Sequence, residues 1–279
     1  MTVRFYAELV FSRSNCAWMF VFFPNHLMCF FEQSVIMGDP AQNKTVKYHG
    51  GKAHMDIKKY TAEGREATLY MAASEDRPLV VLNNYSGDGS PIMKILGEMN
   101  CPDFNLLCVG NLKWEHDMTP WHCPPLYKED EPCTGGADDY LRLLISDILP
   151  EAKKSVKGVP SHIGIAGYSL GGLFALYACY SCDVFDRAAS MSGSLWFPDF
   201  KEYVFNHSMK KVPDKVYLSL GDREAKTKHP ILKTVQSSTE EILGHYKRLG
   251  LNVIWELNSG SHFKNADLRS AKGIMAILK

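Results

Sequence analysis

The stretch His162-Ile-Gly-Ile-Ala-Gly-Tyr-Ser-Leu-Gly-Gly172 runs from a short apolar strand, through Gly167-Tyr168-Ser169-Leu170-Gly171, into a segment with Leu170, Leu173, Phe174, Tyr177 and Ala178 on one helical face. A chain that turns this sharply from strand to helix presses together the residues two before and two after the turn, so those positions must lack side chains. Gly167 and Gly171 satisfy that requirement, and Gly172 permits close helix packing. Ser169 is thereby lifted to the tip of a sheet, at the positive end of the helix that follows. The pattern is that of a nucleophile elbow. A serine hydroxyl is a weak nucleophile unaided, so the reading requires a base and an acid later in the chain.

An isolated Gly-x-Ser-x-Gly is also an ordinary strand-to-helix turn, and the surroundings decide between the two. The apolar runs Leu79 to Leu82, Leu106 to Val109, Ile163 to Ala166, Val216 to Leu220 and Val253 to Leu257 predict strands buried on both faces. Helical patterns alternate with them. Ala137, Tyr140, Leu141, Leu144 and Ile148 recur at helical spacing behind the acidic pair Asp138 and Asp139, with Pro150 expected to stop the helix. Pro230 to Leu249 and Ala266 to Leu278 predict amphipathic helices, the first ending at Gly250. Ahead of them Lys44 to His49, Ala53 to Thr61 and Glu66 to Ala72 predict an antiparallel meander at a sheet edge. The alternation implies a mostly parallel sheet covered on both faces, with ligands at the carboxyl ends of its strands.

Of ten histidines, only His262 follows the last predicted strand, in the loop Asn258-Ser-Gly-Ser-His-Phe263 before the final helix. The acid should follow the preceding strand, where Gly221-Asp222-Arg223-Glu224 supplies two carboxylates. For the oxyanion, one expected donor is the amide of Leu170, the residue after the nucleophile; the other belongs in Asn83-Asn84-Tyr85-Ser86-Gly87, with the amide of Tyr85 preferred and Asn84 as the neighbouring option.

His116-Asp-Met-Thr-Pro-Trp121, Thr134-Gly-Gly-Ala-Asp-Asp-Tyr-Leu141, Gly167-Tyr-Ser-Leu-Gly-Gly172, Gly193-Ser-Leu-Trp196, Ser219-Leu-Gly-Asp-Arg-Glu224 and Gly260-Ser-His-Phe263 together resemble the putative-esterase family of α/β-hydrolases. The likeness is to its enterochelin (siderophore) esterase-like branch, and it runs from about Lys44 to the end. It implies an α/β-hydrolase fold and carboxylic-ester hydrolysis by Ser169, His262 and an acid, with no metal and no cofactor. The branch's Gly-x-Arg-Glu pattern favours Glu224 over Asp222. Trp121 and Trp196, expected at the same end of the sheet as Ser169, are candidates to line an acyl or aryl pocket; capping the core is the alternative for each. An acyltransferase on the same three residues, or a retired hydrolase serving as a binding module, are the rival functions.

The 279 residues carry 31 Lys plus Arg against 31 Asp plus Glu, so no nucleic-acid or acidic-membrane partner is indicated. A small-molecule ester is the expected partner. No charge-free apolar run reaches about 18 residues, and a cytoplasmic protein is expected. Eight cysteines are ordinary for this length. Cys179-x-x-Cys182 reads as helix packing, and Cys123 and Cys133 with His116 and His122 match no zinc spacing. Lys226, Lys228 and His229 read as a solvated loop rather than an anion site. Residues 1–36 are an extension of unknown role with aromatic clusters at Cys16 to Phe23 and Leu27 to Phe31; Met37-Gly-Asp-Pro marks the expected start of the esterase domain, 37–279.

Overall fold

The computed structural model describes residues 55–279, together with the backbone of four short strands at Leu9–Phe11, Ala17–Met19, Val21–Phe23 and His26–Met28, paired antiparallel first with second and third with fourth. The chain divides into two compact units, Met1–Gln42 and Asn43–Lys279. The second carries every candidate catalytic and substrate-binding residue named above. The strand expected at Lys44 to His49 and the boundary at Met37 lie outside the described residues.

An eight-stranded sheet organises the second unit. In chain order its strands are β1 (Ile57–Ala62), β2 (Arg65–Tyr70), β3 (Leu79–Asn83), β4 (Asn105–Gly110), β5 (Ile163–Tyr168), β6 (Arg187–Met191), β7 (Lys215–Gly221) and β8 (Val253–Asn258). Across the sheet they lie in the order β8-β7-β6-β5-β3-β4-β2-β1. β1 pairs antiparallel with β2, and β2 with β4; every other neighbour is parallel. The antiparallel β1–β2 pair matches the two short runs parted at Glu63-Gly64, and the parallel centre matches the continuous apolar runs. β3 shows why a parallel strand reads as unbroken hydrophobicity. Leu79 and Val81 enter the core on one face while Val80 and Leu82 enter the core on the other, and all are buried.

Helices cover both faces. α1 (Ser90–Glu98) and α8 (Ala266–Leu278) pack Ile92, Leu96, Ala271, Ile274 and Ile277 on one side. On the other lie α3 (Ala137–Leu143), α4 (Leu149–Ser155), α5 (Leu170–Ser181), α6 (Phe200–Asn206) and α7 (Val235–Arg248), after the short α2 (Trp114–Asp117). α5 is buried along nearly its whole length, which explains why its sequence is apolar all round rather than striped.

Pro150 does not stop its helix. A π turn at Leu144–Ile148 joins α3 to α4, and Pro150 sits in the first turn of α4. The wider π turn ahead of it relieves the clash a proline makes with an ordinary preceding turn. The segment before α7 is likewise not continuous helix from Pro230; a 3-10 turn at Leu232–Thr234 leads into it.

Candidate active site

The carboxyl ends of β5, β6, β7 and β8 bring together residues far apart in the chain. Ser169 stands between β5 and α5 with φ 58° and ψ −123°, a conformation that costs a non-glycine residue about 1–3 kcal/mol. The surrounding backbone holds it there: its N–H donates to the Met191 carbonyl at 3.1 Å, and its carbonyl accepts from Gly172, Leu173 and Ser194 at 2.9, 3.1 and 3.0 Å. A Cβ on Gly167 would lie 2.2 Å from the Gly171 carbonyl oxygen, so the elbow has no room for a side chain at that position.

His262 presents Nε2 to the Ser169 hydroxyl at 3.0 Å and Nδ1 to Glu224 Oε2 at 2.7 Å. The other Glu224 oxygen, Oε1, accepts from the Gly221 amide at 2.6 Å, the Ser192 hydroxyl at 2.8 Å and Arg269 Nη1 at 2.9 Å. Burial pushes the Glu224 carboxyl up, but the hydrogen bond and charge of His262, with Ser192 and the Gly221 amide, bring it below the usual carboxylate range. Asp222 turns elsewhere. Its Oδ1 accepts from the Gly260 amide at 2.7 Å, tying the β7 loop to the loop that carries His262.

Leu170 opens α5, where the first amides of a helix have no intrahelical acceptor. In the loop after β3, the Asn84 amide is spent on the Val109 carbonyl at 2.9 Å, which removes it as a free donor and leaves Tyr85 as the neighbouring candidate. The Tyr85 ring is exposed and meets Trp114 edge-on at 5.3 Å.

A cleft of about 750 Å³ ends on the serine and histidine, walled by Tyr85, Trp114, Tyr127, Trp196 and Phe263. Trp196 is therefore at the site. Trp121 is not: its indole donates to the Pro198 carbonyl at 2.9 Å and its ring packs on Phe197, Phe200 and Tyr203. An indole whose N–H finds a backbone partner inside an aromatic cluster caps the core, and the pocket role expected for Trp121 gives way to that one. His229 also leaves the solvated loop expected of it. Its ring lies 5.0 Å from Tyr127 and hydrogen-bonds the Leu126 carbonyl at 3.0 Å, pinning one wall of the cleft.

Among the described residues, no lysine or arginine lines the cleft, whereas Glu115, Asp130, Glu131, Glu224 and Asp267 do. Cys123 and Cys133 face each other across a two-residue ladder in the same wall. Burial pushes the Cys133 thiol up to about 12, and the same cause takes the Cys179 thiol on α5 to about 12, so neither is a ready thiolate.

Ser192, Ser194 and Arg269 were not anticipated from the sequence. The Ser194 hydroxyl lies 3.3 Å from that of Ser169. One signal for Arg269 existed: a cation placed four residues before Gly273, on the buried stripe of a helix, needs a buried partner.

A parallel sheet with an antiparallel edge, a serine at the elbow after β5 and a histidine after β8 define the class as an α/β-hydrolase. A family model described as Putative esterase matches residues 109–247, which include the elbow and Glu224 and stop short of His262. Over those residues the chain matches that family, and it is a carboxylic ester hydrolase. A Bacillus subtilis protein described as Uncharacterized protein YbbA is 24% identical over 210 residues, 70% of this chain and 82% of its own length. An IroE-like serine hydrolase from Shewanella oneidensis superimposes with a TM-score of 0.63 at 17% identity, covering 79% of each chain. The siderophore hydrolase EstA from Aspergillus nidulans does so with a TM-score of 0.57 at 17% identity, covering 84% of this chain and 99% of its own.

Proposed function

We propose that the ester is cleaved through a Ser169-His262-Glu224 triad and an acyl-enzyme. His262 Nε2 takes the Ser169 proton as Oγ attacks the ester carbonyl, while Glu224 Oε2 keeps the Nδ1 proton and stabilises the imidazolium. The oxyanion falls to the amides of Leu170 and Tyr85. The imidazolium then protonates the leaving alkoxide, and a water activated by the same histidine releases the acid. The observation that carries this reading is the unbroken run of hydrogen bonds from Glu224 through His262 to a serine at the floor of the cleft.

The cleft's charge narrows the ester. Its carboxylates focus a negative potential within low-dielectric walls, and its aromatic faces attract cations. A neutral or positively charged ester fits; among siderophore-type esters, a neutral ferric hydroxamate suits it better than a ferric catecholate carrying several negative charges.

The test combines p-nitrophenyl acetate and butyrate hydrolysis with phosphonate labelling, followed by a panel of esters differing in charge. Turnover and labelling that both vanish in Ser169→Ala are expected. Stoichiometric labelling without turnover in water would turn the reading towards acyl transfer, and no labelling towards a binding module. We assign the activity to residues 37–279, so that a protein beginning at Met37 is expected to cleave the same esters.

A further inference from the structure

Behind the serine and histidine, one buried cation joins the loops of four strands. Arg269 is 1% exposed. Its Nη1 donates to Glu224 Oε1 at 2.9 Å, to the Ser192 hydroxyl at 3.0 Å and to the Tyr168 hydroxyl at 3.2 Å, and its Nη2 donates to the Ser259 carbonyl at 3.2 Å. Tyr168 passes the connection on, donating its own proton to the His262 carbonyl at 2.6 Å. A Cβ on Gly221 would lie 2.9 Å from both terminal guanidinium nitrogens, so the cation rests directly on the backbone of the acid-bearing loop.

The electrostatic consequence follows from position. A buried carboxylate facing an imidazole favours the doubly protonated ring, and a ring already protonated at Nε2 cannot take the serine proton. The cleft carboxylates Glu115, Asp130, Glu131 and Asp267 push the same way. Asp222 is occupied by the Gly260 amide, and the Tyr168 and Phe263 rings beside His262, at 5.4 and 5.2 Å, are neutral. Arg223 and Lys264, on the two loops that meet here, are exposed, and the Lys264 stem lies over Gly260. The cation held against the far oxygen of Glu224 is Arg269.

We propose that Arg269 is the positioning residue of this site: it grips Glu224 by Oε1, leaving Oε2 for His262, and its charge opposes that of the carboxylate facing the ring. The proposal rests on the triad reading above. It assigns two duties to one side chain, orientation through the planar fork and charge balance through the cation, and the two separate by substitution.

Arg269→Met and Arg269→Lys are compared with the wild type by p-nitrophenyl ester kinetics across the pH range and by proton NMR of the hydrogen shared by His262 Nδ1 and Glu224. In Arg269→Met, kcat is expected to fall about 10²-fold with KM nearly unchanged. The acid limb of kcat/KM and the titration of the shared proton both move upward by about one pH unit, because the opposing charge is gone. Arg269→Lys restores the limb and only part of kcat. An unmoved limb in folded Arg269→Met, or a lysine variant that titrates like the methionine one, overturns the proposal. Should the methionine variant fail to fold, Arg269→Gln, neutral but still a donor, takes its place in the comparison. The NMR titration keeps two failures apart: a wild type that cleaves no ester but whose shared proton responds to Arg269 defeats the triad reading alone, and normal turnover with an unmoved titration defeats the positioning role alone.

Discussion

The elbow after β5 and the acid-bearing loop after β7 both serve one cluster of side chains, yet they are built by opposite means. The elbow is local. Backbone fills the space around it, with Gly167 against Gly171 and the Ser169 carbonyl shared by the Gly172 and Leu173 amides, so its shape follows mainly from the absence of side chains within a few residues, and Met191 and Ser194 add backbone bonds from the neighbouring strand end. The acid loop is assembled from a distance. The Glu224 carboxylate draws its partners from Ser192, Arg269 and His262, which reach it from other strands and from α8, and from the Gly221 amide at the start of its own loop. A steric device tolerates no added atom; an electrostatic one tolerates atoms but not a change of charge.

The comparison orders the expected effects. Ser169→Ala should lose on the order of a millionfold in kcat while the thermal midpoint stays close to that of the wild type, because the side chain at the tip contributes little to the core. Near-normal turnover in that variant would end the serine mechanism. Glu224→Gln is expected to lose about 10⁴-fold in kcat on the same ester, since an amide favours the wrong histidine tautomer. Asp222→Asn should keep kcat within about tenfold and lower stability by about 1 kcal/mol, as the charged bond to the Gly260 amide weakens. The reverse ranking of that pair would make Asp222 the acid.

Gly167→Ala attacks the steric side. With its Cβ 2.2 Å from a backbone oxygen that cannot rotate away, the variant should lose upwards of about 3 kcal/mol in urea unfolding or fail to express as soluble protein. A well-folded alanine variant would show the elbow to be softer than its contacts imply.

The electrostatic side answers to acid. The Glu224 carboxyl is held below its usual range in the fold, so its stabilising contribution is fully present above the unfolded-state value, about 4.3, and is lost as pH falls through the folded one. Urea midpoints should fall over that acidic window, and the fall should shrink in Glu224→Gln. An equal slope in both proteins would place the acid sensitivity elsewhere. The smallest effects should separate the two tryptophans. Trp196→Ala is expected to raise KM several-fold with the thermal midpoint little changed, whereas Trp121→Phe leaves KM alone and costs about 1.5 kcal/mol or less.

Legibility divided along the same line. The elbow, the parallel strands and the chain order of serine, acid and histidine are written in short-range patterns: apolar runs, glycines two residues either side of a serine, a histidine in the last loop. The strand β6 is missing from the apolar runs, because Arg187-Ala-Ala-Ser-Met191 is short and weakly apolar. Pro150 misled because a π turn, which no local pattern announced, makes room for it.

The sequence by itself therefore determined the fold class, the position of Ser169 at a strand-to-helix turn and the loop from which its histidine would come, since each depends on neighbours within a few residues. Only the tertiary structure decided between Glu224 and Asp222 as the partner of His262, sent Trp121 into the core and Trp196 to the cleft, and set Arg269 behind the carboxylate. Those outcomes depend on which groups meet across the ends of four strands. Hydrogen bonds and charges act over a few ångströms of space, whatever the distance along the chain, and the folding of the sheet is what makes that space.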